Sequence, residues 1–541
     1  MQALSYFTLL IFLTLLSACN TPNNVTTSNT PPNILFILAD DLGYSDLGFL
    51  GSEIPTPTLD SLANSGLILT DFYANMTCSP TRSMLMSGTD SHLAGLGVMG
   101  TPSREDQLGQ PGYEAYLNSR VASLADLMTD AGYNTYMTGK WHLGEDVETG
   151  PQARGFKRSF VSLSGASHLG GLSWDGPGLA PYRDGEDLVT VDENFYTTRF
   201  YTERMIEYIE QDRNDDKPFF AYLAYTAPHW PLQAPEESIA KFKGLYDEGY
   251  ESLYRDRFAH MQAIGQLPEG SIADSSKVWQ PSWSSLSEDE KQAESRKMEI
   301  YAAMVSDMDS YISDVLAYLE SIGELDNTFI MFMSDNGAEN GSRELVPPLS
   351  NWVADCCDNS YENLGKGDSY IMYGPNWASV SALPLRRHKG TAFQGGIHVP
   401  AFVHYPKMIE AGTQSNSFAT IMDLLPTFLE LADSEHPGTS YRGREVFPVK
   451  GKSLLPLFKA ETDTVHSDLE YTGWELYGHR SIRQGDWKIV WDNASEKPHW
   501  ALFNIAKDPS ERNNLSTSKP EKLAEMLILW DQYEVENGVI Y

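Results

Sequence analysis

From residue 33 onward, short unbroken apolar runs alternate with stretches in which apolar residues recur every three or four positions. Runs that apolar do not suit a strand with one wet face, and their alternation with helical stretches predicts a parallel sheet covered on both sides. The first run, from Asn33, ends at Asp40 and Asp41, and a second, from Tyr133, leads to Lys140 and His142. A third, from Pro218, leads to His229, and a fourth, from Asn327, leads to Asp335 and Asn336. Just ahead of the fourth, Met304, Met308, Ile312, Val315 and Leu319 fall on one helical stripe that stops at Gly323. That pattern predicts a helix feeding a core strand.

The expected fold class is therefore α/β, with a large mixed, mostly parallel sheet flanked by helices on both faces. Sites in such sheets lie beyond the carboxyl ends of the strands, so the polar strand ends are expected to converge. Gly- and Asp-rich loops near 164–194, an acidic helical insertion near 235–298 and a loop-rich stretch near 340–395 are expected to rim the cleft. Trp174, Tyr182, Trp352, Tyr373 and Trp377 lie in or beside these loops, where stacking on a substrate and ordinary packing are both open readings. After about residue 436 the texture changes to alternating strands in "RSIRQGDWKIVW" and "WALFNI", followed by a helix with Leu523, Met526, Leu527 and Trp530 on one face. Residues 33–435 are read as a catalytic domain and 436–541 as a smaller α+β domain.

Charge narrows the partners. The 541 residues carry 74 Asp plus Glu against 39 Lys plus Arg, a formal net charge of −35. Nucleic acid and anionic membrane surfaces are thus poor partners, and a site for an anionic substrate must gather its cations locally. At the N-terminus, an apolar run from about Leu4 to Leu16 is short for a membrane span and reads as the core of an export signal, residues 1–19. It ends in "LSAC", which resembles the lipobox of bacterial lipoproteins, with Cys19 as the lipidated residue; ordinary cleavage nearby is the other reading. Residues 20–32 read as a flexible tether. The expected location is periplasmic or at the surface of a bacterial cell, with membrane contact only through lipid at Cys19.

Four cysteines, Cys19, Cys78, Cys356 and Cys357, do not make a disulfide scaffold. Cys356 and Cys357 are adjacent, and two free thiols are expected there, because joining neighbours strains the backbone. Cys78 lies in the polar run "MTCSPTR", with Pro80 at the expected first helical position and Arg82 one turn on. A thiol near a helix N-terminus and beside a guanidinium occupies a place suited to an anion or a nucleophile. Asp40, Asp41, Asp335 and Asn336 supply oxygen donors at two strand ends, a set that favours Ca²⁺ or Mg²⁺ over Zn²⁺.

These residues carry a resemblance. "CSPTR" followed by "SMLMSG" is similar to the type I sulfatase signature, matched at Cys78, Pro80, Arg82, Leu85, Ser87 and Gly88. The likeness continues through "ILFILADDLGYSDLG", "GKWHLG", "APHWP", "MSDNGAE", "GGIHVPAFVHYP" and "RSIRQGDWKIV", and looks closest to bacterial arylsulfatases of the alkaline-phosphatase superfamily. It implies that Cys78 is converted to Cα-formylglycine by a formylglycine-generating maturation enzyme. A hydrated aldehyde has two hydroxyls, one to attack sulfur and one whose deprotonation expels sulfate, so water never attacks sulfur.

The resemblance also implies roles. Asp40, Asp41, Asp335 and Asn336 match calcium ligands, with residue 78 facing the same ion and Asp335 placed to accept the nucleophile's proton. Arg82 would hold the formylglycine hydroxyl. Lys140 would contact sulfate, and His142 would take the proton of the hemiacetal that releases it. His229 and Lys389 would serve the leaving-group oxygen, Lys389 being the least distinct of these because His388 or Arg387 beside it could face the substrate instead. The implied activity is hydrolysis of aryl sulfate-like monoesters to an alcohol or phenol and inorganic sulfate. The rivals are a formylglycine-dependent phosphonate monoester or phosphodiester hydrolase and a catalytically inert calcium-binding surface lipoprotein.

Overall fold

The computed structural model describes residues 31–541 except 101, 103, 166–167, 172–179, 193, 268–270, 272, 274–276, 278, 343–346 and 494–496. The expected signal segment, Cys19, nearly all of the tether and Trp174 lie outside the described residues.

One sheet of ten strands organises the larger part of the chain. In chain order these are β1 (Asn33–Ala39), β2 (Leu67–Leu69), β3 (Asn134–Lys140), β4 (Arg158–Ser162), β5 (Tyr182–Asp184), β6 (Asp187–Val189), β7 (Phe219–Ala224), β8 (Thr328–Ser334), β9 (Ala401–His404) and β10 (Thr413–Ser415). Across the sheet they run β10-β2-β9-β8-β1-β7-β3-β4-β5-β6. The central strands β8, β1, β7, β3 and β4 are mutually parallel, whereas β9 opposes both its neighbours and β5 and β6 form an antiparallel edge.

Successive side chains of β1 enter opposite cores. Leu35 and Ile37 join Leu223 and Phe332 on one face, while Ile34, Phe36 and Leu38 join Tyr222 and Met331 on the other. Both faces are covered, which explains why the runs are uniformly apolar. Helix α1 (Cys78–Ser87) and helix α4 (Leu424–Leu431) cover one side; α2 (Thr197–Asp212) and α3 (Glu288–Ser321) cover the other. The stripe Met304, Met308, Ile312, Val315 and Leu319 of α3 is fully buried. Its helix starts well before the stripe, at a capping box in which Ser287 and Glu290 satisfy each other's backbone N–H groups.

The smaller part is an antiparallel sheet, β11 (Tyr471–Leu476), β12 (His479–Gln484), β13 (Trp487–Asp492) and β14 (His499–Asn504), crossed by helix α5 (Pro520–Asn537). Met526, Trp530 and Tyr533 of α5 pack on Ile482, Ile489 and Leu502, while Trp474, Val490 and Phe503 face Tyr73, Phe393 and Ile397 of the larger part. Tyr441, Val446, Leu454 and Phe458 pack in the larger core. The small sheet itself begins only at Tyr471, beyond the change of texture at 436.

One open choice closes and two local expectations need correction. Tyr182, Tyr373 and Trp377 are buried packing residues, and Trp352 sets its ring edge-on against Tyr370. Cys356 and Cys357 are joined as a disulfide, not two free thiols. They sit where helix Leu349–Cys356 gives way to extended backbone at Cys357, a junction that adjacency in sequence does not reveal. Pro80 is the third residue of α1, which starts at Cys78 itself. Within the first turn its missing N–H still leaves no intrahelical bond broken.

Candidate active site and metal centre

Neighbouring strands bring the polar ends together. Ala39 of β1 pairs with Ser334 of β8, so Asp40 and Asp41 emerge beside Asp335 and Asn336. Asp41 takes a left-handed backbone, φ 66°, and its N–H donates to Asp335 Oδ1 at 3.2 Å. On the far side of β7, β3 delivers Lys140 directly after Gly139. A Cβ at Gly139 would lie 1.7 Å from the Ala224 carbonyl oxygen, and its φ is +114°, so only glycine permits this approach. His142, also left-handed at φ 55°, donates its N–H to the Leu163 carbonyl at 2.7 Å.

The N-terminus of α1 closes the cluster. Cys78 Sγ lies 3.2 Å from Asp40 Oδ1 and 3.8 Å from Asp41 Oδ1. One turn on, Arg82 grips Asp335 Oδ2 through Nε at 3.2 Å and Nη2 at 2.8 Å, and its Nη1 donates to the Lys140 carbonyl at 2.6 Å. Lys140 Nζ contacts Asp40 Oδ2 at 2.7 Å, and Lys389 Nζ lies 2.8 Å from the Asp41 carboxylate. His229 Nε2 is 3.4 Å from Asp41 Oδ2, and its Nδ1 faces the Trp230 carbonyl oxygen at 2.5 Å.

Buried charges set the protonation pattern. Burial would raise Asp40, but Lys140, His229 and Arg82 hold its carboxyl well below the usual range. Burial pushes Asp41 up to about 7; Lys389 offsets this only partly, and Asp40 and Glu339 add to it. Burial also raises Asp335, helped by Asp40. Burial, with Lys140 next in weight, keeps both His142 and His229 well below the ordinary histidine value. The Cys78 thiol is pushed well up by burial and by the Asp335 and Asp40 carboxylates, so an unmodified thiol here is a poor nucleophile.

The donor set fits a hard cation. Asn336 donates its amide to Asp41 Oδ1 at 2.7 Å and to the Gly337 carbonyl at 2.9 Å, yet its Oδ1 is buried with no hydrogen-bond partner among the described residues. An orphaned carbonyl oxygen beside three buried carboxylates is a donor set that suits a hard cation. Ligand atoms of Asp40, Asp41, Cys78 and His229 lie within 4.8 Å of one another.

A family model described as Sulfatase matches residues 32–434. The chain belongs to the sulfatase family. A second model, N-sulphoglucosamine sulphohydrolase, C-terminal, matches residues 388–531. An uncharacterized sulfatase of Schizosaccharomyces pombe is 44% identical over 524 residues, spanning 94% of each chain. An arylsulfatase of Klebsiella aerogenes is 36% identical over 447 residues, 81% of this chain and 94% of its own. Among solved structures, Ps i-CgsB in complex with k-i-k-neocarrahexaose superposes with a TM-score of 0.67 at 25% identity, covering 94% of each chain. This sulfatase is accordingly a sulfuric ester hydrolase with the family's α/β fold. With relatives in both a fungus and a bacterium, the comparisons do not support the expected bacterial origin. No helix among the described residues is long and apolar enough to cross a membrane.

The sulfatase pocket gathers Cys78, Lys140, His142, His229 and Lys389 on its walls, with Arg82 and the four oxygen donors behind them. Of the cations in "RRHKG", Lys389 lines the pocket and reaches Asp41, while Arg386 and Arg387 lie over the Phe393 ring. Three residues were not singled out in sequence. Glu339 and Ser164 line the pocket, and His168 Nε2 lies 2.7 Å from the His229 carbonyl oxygen. Glu339 stands within the motif "MSDNGAE"; nothing in the local pattern marks Ser164 or His168.

Proposed function

We propose that this sulfatase cleaves aryl sulfate-like monoesters through a formylglycine at position 78 and a single Ca²⁺. The observation that carries the reading is the convergence of Cys78, at the head of α1, with three carboxylates, two lysines and Arg82 from distant segments. In this structure Cys78 Sγ stands in for the oxygens of the formylglycine. Asp40, Asp41, Asp335 and Asn336 would hold the ion, which when bound polarises a sulfate oxygen and favours an ionised hydroxyl.

The chain's own groups do the rest. Lys140 would neutralise the sulfate oxygens, Lys389 would serve the leaving-group oxygen together with His229, and Arg82 would orient the hydroxyl at residue 78. Asp335 would accept the proton of the attacking hydroxyl. His142, kept neutral by burial, is fit to accept a proton from the second hydroxyl as sulfate leaves. His229 Nδ1 faces a carbonyl oxygen and must carry a proton, so in the neutral ring Nε2 is bare. Donation from Nε2 to the leaving-group oxygen therefore needs a second proton, which the charge of a bound sulfate ester favours.

We further read the protein as exported, anchored through lipid at Cys19, and matured by a formylglycine-generating enzyme. Mass spectrometry of the Cys78 peptide from protein made beside such an enzyme, paired with an aryl sulfate assay, tests the mechanism. An aldehyde in place of CH₂SH, with activity abolished in Cys78→Ala, is the expected result. Active protein with unmodified Cys78 would refute it, and modified protein that prefers an aryl phosphonate ester would replace the substrate class.

A further inference from the structure

The pocket that must take an anion contains a carboxylate to which the reading above gives no task. Glu339 lines it, only 8% exposed. Placing a buried negative charge there opposes sulfate binding, so its position calls for a compensating role. The side chain is firmly held. Its Oε1 accepts the Gly341 N–H at 2.7 Å, and its Oε2 lies 3.4 Å from Trp230 Nε1. The turn that carries it is fixed too, because a Cβ at Gly337 would lie 1.8 Å from the Gly395 carbonyl oxygen.

The same Oε2 lies 3.1 Å from Lys389 Nζ, which is also 2.8 Å from Asp41. One ammonium thus bridges a carboxylate of the metal set and a carboxylate outside it. A cation at Asp41 competes with Lys389 for that carboxylate and repels the ammonium. Glu339 supplies the second anchor, so Lys389 can yield Asp41 without leaving the pocket.

We propose that Glu339 is a positioning residue that holds Lys389 on the substrate side of the pocket when Asp41 is engaged by the cation. This inference rests on reading the pocket as a calcium-dependent sulfatase site. Without Glu339, Lys389 has Asp41 as its remaining anion and contests the cation for it. The variant should then lose both calcium affinity and the lysine's service to the leaving group.

The test uses the full chain, matured at residue 78, as wild type, Glu339→Gln, Glu339→Asp, Lys389→Ala and the Glu339→Gln/Lys389→Ala double variant. Calcium titration of chelator-stripped protein gives a readout independent of turnover. Glu339→Gln should weaken calcium binding roughly tenfold, the scale of one charge-assisted contact. Glu339→Asp should recover most of it, and the double variant should bind at least as tightly as wild type. For a series of aryl sulfates, kcat/KM should fall more steeply with leaving-group pKa in Glu339→Gln than in wild type, and no more steeply in the double variant than in Lys389→Ala. Wild-type calcium affinity in Glu339→Gln would overturn the proposal, as would a Glu339→Gln defect that persists undiminished in the Lys389→Ala background. If wild type binds calcium but cleaves no aryl sulfate, the substrate reading fails and the calcium arm still decides the role of Glu339.

Discussion

His92 Nε2 lies 3.0 Å from Glu475 Oε2, joining the segment after α1 to the first strand of the C-terminal sheet. On its other side Nδ1 lies 2.9 Å from Asp90 Oδ1, and Tyr533 of α5 donates to Asp90 Oδ2 at 2.8 Å. Burial disfavours the imidazolium, but the two carboxylates outweigh it and lift His92 from 6.5 to about 9. A folded-state value above the unfolded one contributes stability that is complete below pH 6.5 and fades as pH rises through about 9. The contribution is about 3 kcal/mol on the scale of 1.36 kcal/mol per pH unit. Urea unfolding on either side of that window should show the loss in wild type and a much smaller one in His92→Gln. Equal losses in both would assign the pH dependence elsewhere.

The orphaned Asn336 Oδ1 predicts a metal-linked stability. Calcium at about a hundred times its dissociation constant should stabilise the wild type by about 2.7 kcal/mol. Asn336→Ala removes one ligand but none of the ion pairs of Arg82, Lys140 or Lys389. Its chelator-stripped form should melt below stripped wild type because the amide's bonds to Asp41 and Gly337 are lost, and its calcium-induced rise in Tm, read against its own stripped form, should shrink. An undiminished rise would remove Asn336 from the ligand set.

Gly139→Ala tests how Lys140 is placed. The added methyl meets the Ala224 carbonyl oxygen and the backbone is already at φ +114°, so β3 and β7 must part. Strain plus lost packing should cost about 3 kcal/mol or more. Activity toward sulfate esters should fall even at temperatures where the variant stays folded, because Lys140 moves off Asp40. A variant as stable and active as wild type would show that this approach is not constraining.

Much of this was legible because the central strands are buried on both faces. Their runs could be read directly, and each ended in the residue that reaches the site: Asp41, Lys140, His229 and Asp335. The α3 stripe was equally plain, although its capping box at Ser287 and Glu290 went unread behind an acidic stretch. What sequence did not expose depends on contacts between distant segments. Tyr182 and Trp377 lie in sequence that looks like loop, yet they belong to the core between the sheet and the helices on one of its faces. Glu339 becomes informative only beside Lys389, and the Cys356–Cys357 pairing depends on the backbone at a helix end.

Lys488 and Glu511 form a fully buried ion pair at 2.8 Å between β13 and the turn that follows β14. Burial pulls the Lys488 ammonium down and pushes the Glu511 carboxyl up, and each offsets the other's shift. Glu511 also accepts the Gln394 N–H at 2.7 Å, and its backbone carbonyl accepts from Arg386 at 3.0 Å, on the two sides of Lys389. Glu511→Gln strands a buried ammonium and should cost about 3–5 kcal/mol, whereas Lys488→Met/Glu511→Leu removes both charges and should cost much less. Glu511→Gln leaves one amide oxygen to be shared between Lys488 and the Gln394 N–H, and the double variant leaves none, so both should loosen the Lys389 segment and raise KM for an aryl sulfate, the double variant more. Stability should therefore rank wild type, double, then single, while activity separates wild type from the other two. A double variant as destabilised as the single would mean that the pair matters through its shape, and unchanged KM in both would detach the C-terminal sheet from the placement of Lys389.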